Sequence, residues 1–300
     1  MIRCPRILSG LRKSLSAAGL VFLGACASLP QSTIEGSSKE GQALLVASAA
    51  AHGWENYRKL KDINVSYDGQ WYSLVKRLQP VLVDDQFRGS SEERMIRANR
   101  FIGQTHKGPG GLKQVSRSIS NVDIWYNGKS DNDTDKRAAA ALVTEGYRLF
   151  LLGPMYLLER NAIVELAGTE TINGIDCDRL LARLRPGLGF SREDTVLMWI
   201  GKSDRIARRV WFSLEGMAST QGAIAEVEMF DFMALSGVNW PTRFFERIHR
   251  PVKLDVHRWR LTGLDVDRGY SQEDISGVTF TGSAARPATT LPATALPSTR

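Results

Sequence analysis

Side chains that do chemistry are thinly spread along this chain. The four histidines fall at His52, His106, His249 and His257. Only His249 and His257 are near enough to meet across a hairpin, and no third ligand accompanies them, whereas zinc sites need three or four. Asp131-Asn-Asp-Thr-Asp135 opens like a calcium loop, but Lys136 stands where the sharp-turn glycine belongs and Leu142 where the bidentate glutamate belongs. That stretch reads instead as a helix N-terminus, where Asp and Thr cap free amides and acids suit the helix dipole. Glu226 and Glu228 lie two apart on one strand face and have the spacing of paired carboxylates, although a solvated surface is the simpler account. Arg205, Arg208 and Arg209 read as an equally plain surface run. No Gly-x-Ser-x-Gly elbow, His-Glu-x-x-His pair or Walker loop occurs. Gly108-Pro109-Gly110-Gly111 lacks the flanking elements of a phosphate loop and reads as a hairpin turn. The expectation is a non-enzymatic protein with no cofactor and no metal site.

The most specific chemistry is at the N-terminus. Arg3, Arg6, Arg12 and Lys13 precede a short apolar run, Leu15 to Gly24, with small residues before Cys26. A basic leader, a short apolar core and a small-residue cleavage site make a secretory signal over residues 1–25. The run is well short of the roughly 20 residues a membrane span requires. The ending Leu23-Gly-Ala-Cys26 resembles the lipobox of bacterial lipoproteins, which implies lipidation of the Cys26 thiol, a mature N-terminus there and a membrane anchor. Ala27, the next residue, is compatible with sorting to the periplasmic face of the outer membrane.

Removing the leader takes the formal charge from +7 to +3, so the basicity is partly a targeting feature and gives no case for a nucleic-acid partner. With Cys4 lost and Cys26 acylated, Cys177 is the remaining thiol and no intramolecular disulfide can form. In an oxidising compartment the fold must therefore rest on its core. Cys177 itself, in Ile-Asp-Cys-Asp-Arg-Leu, reads as a small strand residue without the neighbours that activate a thiol.

These features need elements to position them. Residues 26–38 are small and polar and read as a flexible tether. Residues 284–300, rich in Pro, Ala and Thr, have little to bury and read as a disordered tail. Residues 39–283 form one domain. It opens with a helix from Lys39 to about Leu60, with an apolar stripe through Leu44, Ala47, Ala50, Ala51, Trp54 and Tyr57, interrupted by Gly53. Strand-like segments follow at Val81–Val83, Met95-Ile96, Phe101-Ile102 and Ile124–Tyr126, then at Thr195–Ile200, Ile206–Phe212, Gly222–Met233, Thr242–His249 and Asp255–Leu264. In Thr195–Ile200 both alternating faces are apolar, so this strand is covered on both sides or lines an apolar cavity.

Between the two sets of strands, residues 131–158 read as a helix, a break at Gly153-Pro154 and a short second helix. About ten consecutive apolar residues cannot span a bilayer, so this pair covers the sheet, as core packing or as a lid over a cavity.

A lipobox, an N-terminal helix, a long antiparallel meander and a mid-chain helical plug together resemble the LolA/LolB-like superfamily of periplasmic and outer-membrane lipoprotein carriers. The hairpin Val196–Phe212 and the segment Glu226–Arg243, with its Gly237-Val-Asn-Trp-Pro241 corner, are the most similar parts. The resemblance implies a mainly β, α+β fold, in which a large antiparallel sheet curves into an unclosed half-barrel whose concave side takes acyl chains. Large side chains that could line such a cavity are Phe150, Leu151, Met155, Trp199, Trp211, Phe245 and Trp259. The expected role is binding or transfer of an acylated ligand, a lipid or a lipoprotein. The alternative is a non-catalytic assembly lipoprotein that docks an envelope protein.

Overall fold

The computed structural model describes residues 28–32, 34–280 and 282–285. Cys26, the leader and residues 286–300 lie outside them. The chain begins with α1 (Lys39–Ala51) and α2 (Trp54–Tyr57), continues through β1 (Asp62–Trp71), and then forms two short helices, α3 (Ser73–Leu78) and α4 (Pro80–Val83). A meander follows: β2 (Ser90–Ile96), β3 (Phe101–Gly108), β4 (Gly111–Arg117), β5 (Val122–Tyr126) and β6 (Lys129–Asp131). Helices α5 (Thr134–Leu152) and α6 (Pro154–Glu159) lead to β7 (Ile163–Ile172), β8 (Ile175–Leu184), β9 (Asp194–Gly201), β10 (Ala207–Ser213) and β11 (Ile224–Phe230). The hairpin β12 (Met233–Leu235) and β13 (Val238–Trp240) precedes β14 (Arg243–Arg250) and β15 (Leu254–Val266).

Thirteen of these strands make one sheet, in the order β6-β5-β4-β3-β2-β1-β15-β14-β11-β10-β9-β8-β7. Every pairing is antiparallel, and β1 against β15 joins the two halves. The terminal strands β6 and β7 do not pair with each other, so the sheet does not close into a barrel. The chain leaves the sheet at one edge and re-enters at the other, and α5 with α6 makes that crossing along the concave face. This is why the apolar mid-chain segment is helical: it must bury itself while satisfying its own backbone hydrogen bonds.

Alternation divides the strands cleanly. Val196, Met198 and Ile200 of β9, Val210 and Phe212 of β10, and Ala225, Val227 and Met229 of β11 face the helices in one core with Leu149–Leu152 and Met155–Leu157. Leu197 and Trp199 face the other way, joining Ile172, Cys177 and Leu181 in a convex cluster against which Leu29 packs. Both faces of β9 are thus covered. At the β7 edge, Ser38 N–H donates to the Val164 carbonyl and Val164 N–H to Ser37 Oγ, so residues 37–38 cover part of an exposed strand edge. At the other end of the described chain, Ala284 N–H donates to Ser66 Oγ, and Leu264 N–H to the Ala285 carbonyl.

Two local expectations change. The N-terminal helix stops at Ala51, because Gly53 adopts φ +94°. A β-carbon there would strike the Gly237 carbonyl of the β12–β13 turn, so this close approach admits only glycine. Val81–Val83 is helical rather than extended. Pro80 supplies the first-turn φ that a helix needs, Asp84 ends the turn at φ 50°, and Val83 is buried by the tertiary fold, which overrides the β preference of valine.

Candidate functional site: an apolar cavity under the mid-chain helix

The N-terminus of α5 is fixed by Asp133, whose side chain accepts from Lys136 N–H at 2.9 Å. Asp131 accepts from Asp133 N–H and from Lys136 Nζ. The acidic run is therefore a cap. Ala140 and Ala141 then let the helix approach Val115, Val122 and Ile124 closely. Gly153, at φ 53° and ψ −122°, ends α5, and Pro154 starts α6.

Between α5, the α3–α4 flap and strands β10, β14 and β15 lies a cavity of about 420 Å³. Its helix wall is Leu142, Val143, Gly146, Tyr147 and Phe150; its sheet wall is Phe212, Ile248, Leu254 and Val256; Val75, Leu82 and Val83 form the flap side. Leu78 and Val252 also line it while remaining 56% and 62% exposed, so they mark its mouth. Gln79 and Ser219 tie the flap to the loop after β10 through two bonds, Gln79 Nε2 to the Ser219 carbonyl at 2.9 Å and Ser219 Oγ to Gln79 Oε1 at 3.1 Å.

The cavity has one polar end. Arg88 donates Nη1 to the Leu82 carbonyl at 2.8 Å and Nη2 to Tyr147 Oη at 3.1 Å, and its guanidinium lies over Trp71 at 4.8 Å. Trp71 stacks on His257 with ring centroids 3.8 Å apart, His257 on Trp259, and Trp259 on Phe244. Tyr147 Oη lies 3.3 Å from His257 Nδ1. Burial drives His257 well below the ordinary histidine range, with the Arg88 charge acting in the same direction, so its imidazole is neutral. Glu246, opposite His257 in the register, also lines the cavity. Desolvation raises its carboxyl to about 7, against the opposing pull of Arg88.

Of the seven side chains expected to line a cavity, the fold brings Phe150 to this one. Leu151 and Met155 are buried in the main core, and Trp259 packs behind Tyr147 and Phe150. Trp199, Trp211 and Phe245 stand on the convex face, because their strand parity is opposite to that of Phe212 and Glu246. On that face Glu226 and Glu228 are 2% and 6% exposed, not solvated. Arg247 Nη1 donates to Glu226 at 2.7 Å and to Glu228 at 2.9 Å, Arg209 donates to Glu228, and Trp211 Nε1 donates to Glu226 at 2.6 Å. His249 reaches Glu226 from Nε2 and stacks on Trp211. His249 and His257 therefore lie on opposite faces and cannot share a ligand. The arginine run is consumed in the same way, Arg205 on Asp178, Arg208 on Asp204 and Arg209 on the two glutamates. Cys177 is fully buried, and burial pushes its thiol up.

Arg88, Glu246, Trp71 and the flap were missed. One signal was present: in Arg243-Phe-Phe-Glu-Arg-Ile-His-Arg250 the alternation that puts buried Phe244 and half-buried Ile248 on the inner face also points Glu246 inward.

No protein-family model matches the sequence, and no curated protein matches it. Solved structures do match. A DUF1329 family protein from Desulfovibrio piger superposes with a TM-score of 0.51 at 13% identity, covering 82% of this chain and 100% of that one. A LolA superfamily protein from Nitrosomonas europaea gives a TM-score of 0.51 at 11% identity, covering 79% of this chain and 97% of that one. The chain thus has the LolA-like fold, a mainly β, unclosed antiparallel sheet whose N-terminal and mid-chain helices fill its concave side.

Proposed function

We propose that this protein is a lipid-anchored lipoprotein of the cell envelope that binds, and passes on, an acylated hydrophobic ligand in the cavity beneath α5. The observation that carries this reading is the cavity itself. Its 420 Å³ falls in the range of ligand sites, about 300–1,000 Å³, and its walls are mainly aliphatic and aromatic. Each buried methylene of an acyl chain contributes about 0.8 kcal/mol, so shape and apolar area suffice for useful affinity. An exposed apolar mouth at Leu78 and Val252 gives such a chain a way in. The anchor follows from the lipobox-like Leu23–Cys26. A lipoprotein's two or more acyl chains make attachment stable where one chain would not, and Ala27 supports an outer-membrane address. No catalytic role is assigned to any residue.

Gly146 provides the test. It lies on the cavity wall within α5, and a β-carbon there would meet only the Phe150 ring, at 3.5 Å. Gly146→Phe fills the cavity from a helix position that tolerates a side chain. Native mass spectrometry of the domain purified from membranes is expected to show bound lipid in the natural protein and none in Gly146→Phe. A natural protein that emerges empty, or a variant that keeps its lipid, overturns the reading and favours an envelope-assembly role.

A further inference from the structure

Most polar side chains around the cavity are held by neighbouring groups. Gln79 and Ser219 bond each other. Thr220 Oγ1 donates to the Leu214 carbonyl at 2.8 Å. Arg88 donates Nη1 to the carbonyls of Leu82 and Val83 and Nη2 to Tyr147, and its Nε is buried without a partner. Tyr147 Oη accepts from Arg88 and contacts His257. Gln221 is exposed to solvent. Glu246 receives no hydrogen bond or ion pair from any described residue, and its carboxylate is desolvated at the wall of a mainly apolar chamber.

A half-buried, unpartnered carboxylate against apolar walls costs folding free energy. An apolar side chain at that position would give a better empty protein. What Glu246 supplies is an acceptor directed at whatever occupies the cavity. Resting on the proposed acyl-binding function, we infer that Glu246 reads the polar end of the ligand and selects an acyl chain headed by a hydrogen-bond donor, an ammonium above all and a hydroxyl next. A carboxylate or phosphate head is disfavoured. It would face Glu246 with like charge, while Arg88 is held on the Leu82 and Val83 carbonyls, on Tyr147 and over the Trp71 ring. An ammonium instead completes an ion pair in a low-dielectric site, where charge-assisted hydrogen bonds are strongest.

The test uses three single-chain probes of equal length, dodecylammonium, dodecanol and dodecanoate. Each is titrated below its micellar concentration into the delipidated full chain at about pH 8, where Glu246 is ionised and the ammonium still protonated. Affinity is expected to fall in the order ammonium, alcohol, carboxylate, with at least about a tenfold spread, the ratio one charge-assisted hydrogen bond supports. Glu246→Gln keeps the shape and removes the charge, and is expected to shrink the ammonium-to-carboxylate ratio to about threefold or less. Glu246→Asp keeps the charge and is expected to preserve the order, which guards against a folding defect in the glutamine variant. Dodecanoate binding as well as dodecylammonium, or an unchanged ratio in Glu246→Gln, overturns the inference while leaving the cavity function intact. Failure of all three probes to bind overturns the cavity function and the inference with it.

Discussion

Glu226 and Glu246 stand on adjacent strands, both heavily desolvated, yet they titrate in opposite directions. Burial alone would raise the Glu226 carboxyl, but His249, Arg209 and Trp211 together hold it down at about 2. Glu246 has no such partners and rises to about 7. The stability consequences have opposite signs. Glu226, depressed on folding, contributes stability that is present above its unfolded value of 4.5 and is lost as pH falls through about 2. Glu246, raised on folding, leaves the protein most stable below 4.5 and costs stability as pH rises toward 7. Urea denaturation of Glu246→Gln should therefore match the natural protein near pH 4 and exceed it near pH 8, by on the order of 2 kcal/mol. Glu226→Gln should be weaker near pH 7 by about 3 kcal/mol, since it removes the carboxylate charge that His249, Arg209 and Arg247 share and leaves both arginines to Glu228, and this deficit should shrink as pH falls. A Glu246→Gln curve parallel to that of the natural protein at every pH would show that Glu246 is not desolvated.

Among the elements, α5 carries the most structural decisions. Asp133 starts it, Ala140 and Ala141 bring it close to β4 and β5, and Leu149–Leu152 bury its second half. Gly153 lets the chain turn into α6 at φ 53°, ψ −122°, a region essentially closed to other residues. A β-carbon at Gly153 would meet nothing nearer than 3.9 Å. Gly153→Ala thus isolates backbone strain from steric overlap, and its denaturation midpoint should report a loss of about 1–3 kcal/mol. A neutral result would mean that the α5–α6 junction relaxes freely. The cap, the break and the restart were all legible, because each depends on residues within a few positions of one another. The α3–α4 flap was not. Its apolar residues are held by β15 and α5, partners distant in sequence, and Val81–Val83 has the local preference of a strand.

At the scale of the whole molecule, the sheet has two working faces with different chemistry. The concave face holds the helices and the cavity. The convex face carries the cluster of Trp199, Leu181 and Cys177 and the ionic network of Glu226, Glu228, Arg209 and Arg247. Ligand uptake should belong to one face only. Trp199→Ala removes a large side chain that is 1% exposed and should cost about 3–5 kcal/mol of stability, with lipid content per folded molecule unchanged. Loss of lipid in that variant, measured on the folded fraction, would place the ligand on the convex side and displace the cavity assignment.

The sequence by itself determined the mainly β character, the strands from Thr195 onward, the helix–break–helix between the two halves of the sheet, the capping role of Asp131–Asp135 and the resemblance to the LolA-like fold. The elements and the cap are written in local spacing, and the resemblance rests on the order in which those elements follow one another. It did not delimit β1, β4, β7 or β8, and it marked the alternation of Thr195–Ile200 and of Glu226 with Glu228, though not which set of residues faces inward. Only the tertiary structure decided that, because strand parity has no sign until the sheet curves and α5 crosses one of its faces. Trp199, Trp211 and Phe245 went to the convex side for this reason, while Glu246 went to the cavity. A single carboxylate among apolar neighbours has a cost only after the strand is folded over them, so its significance is a property of the fold.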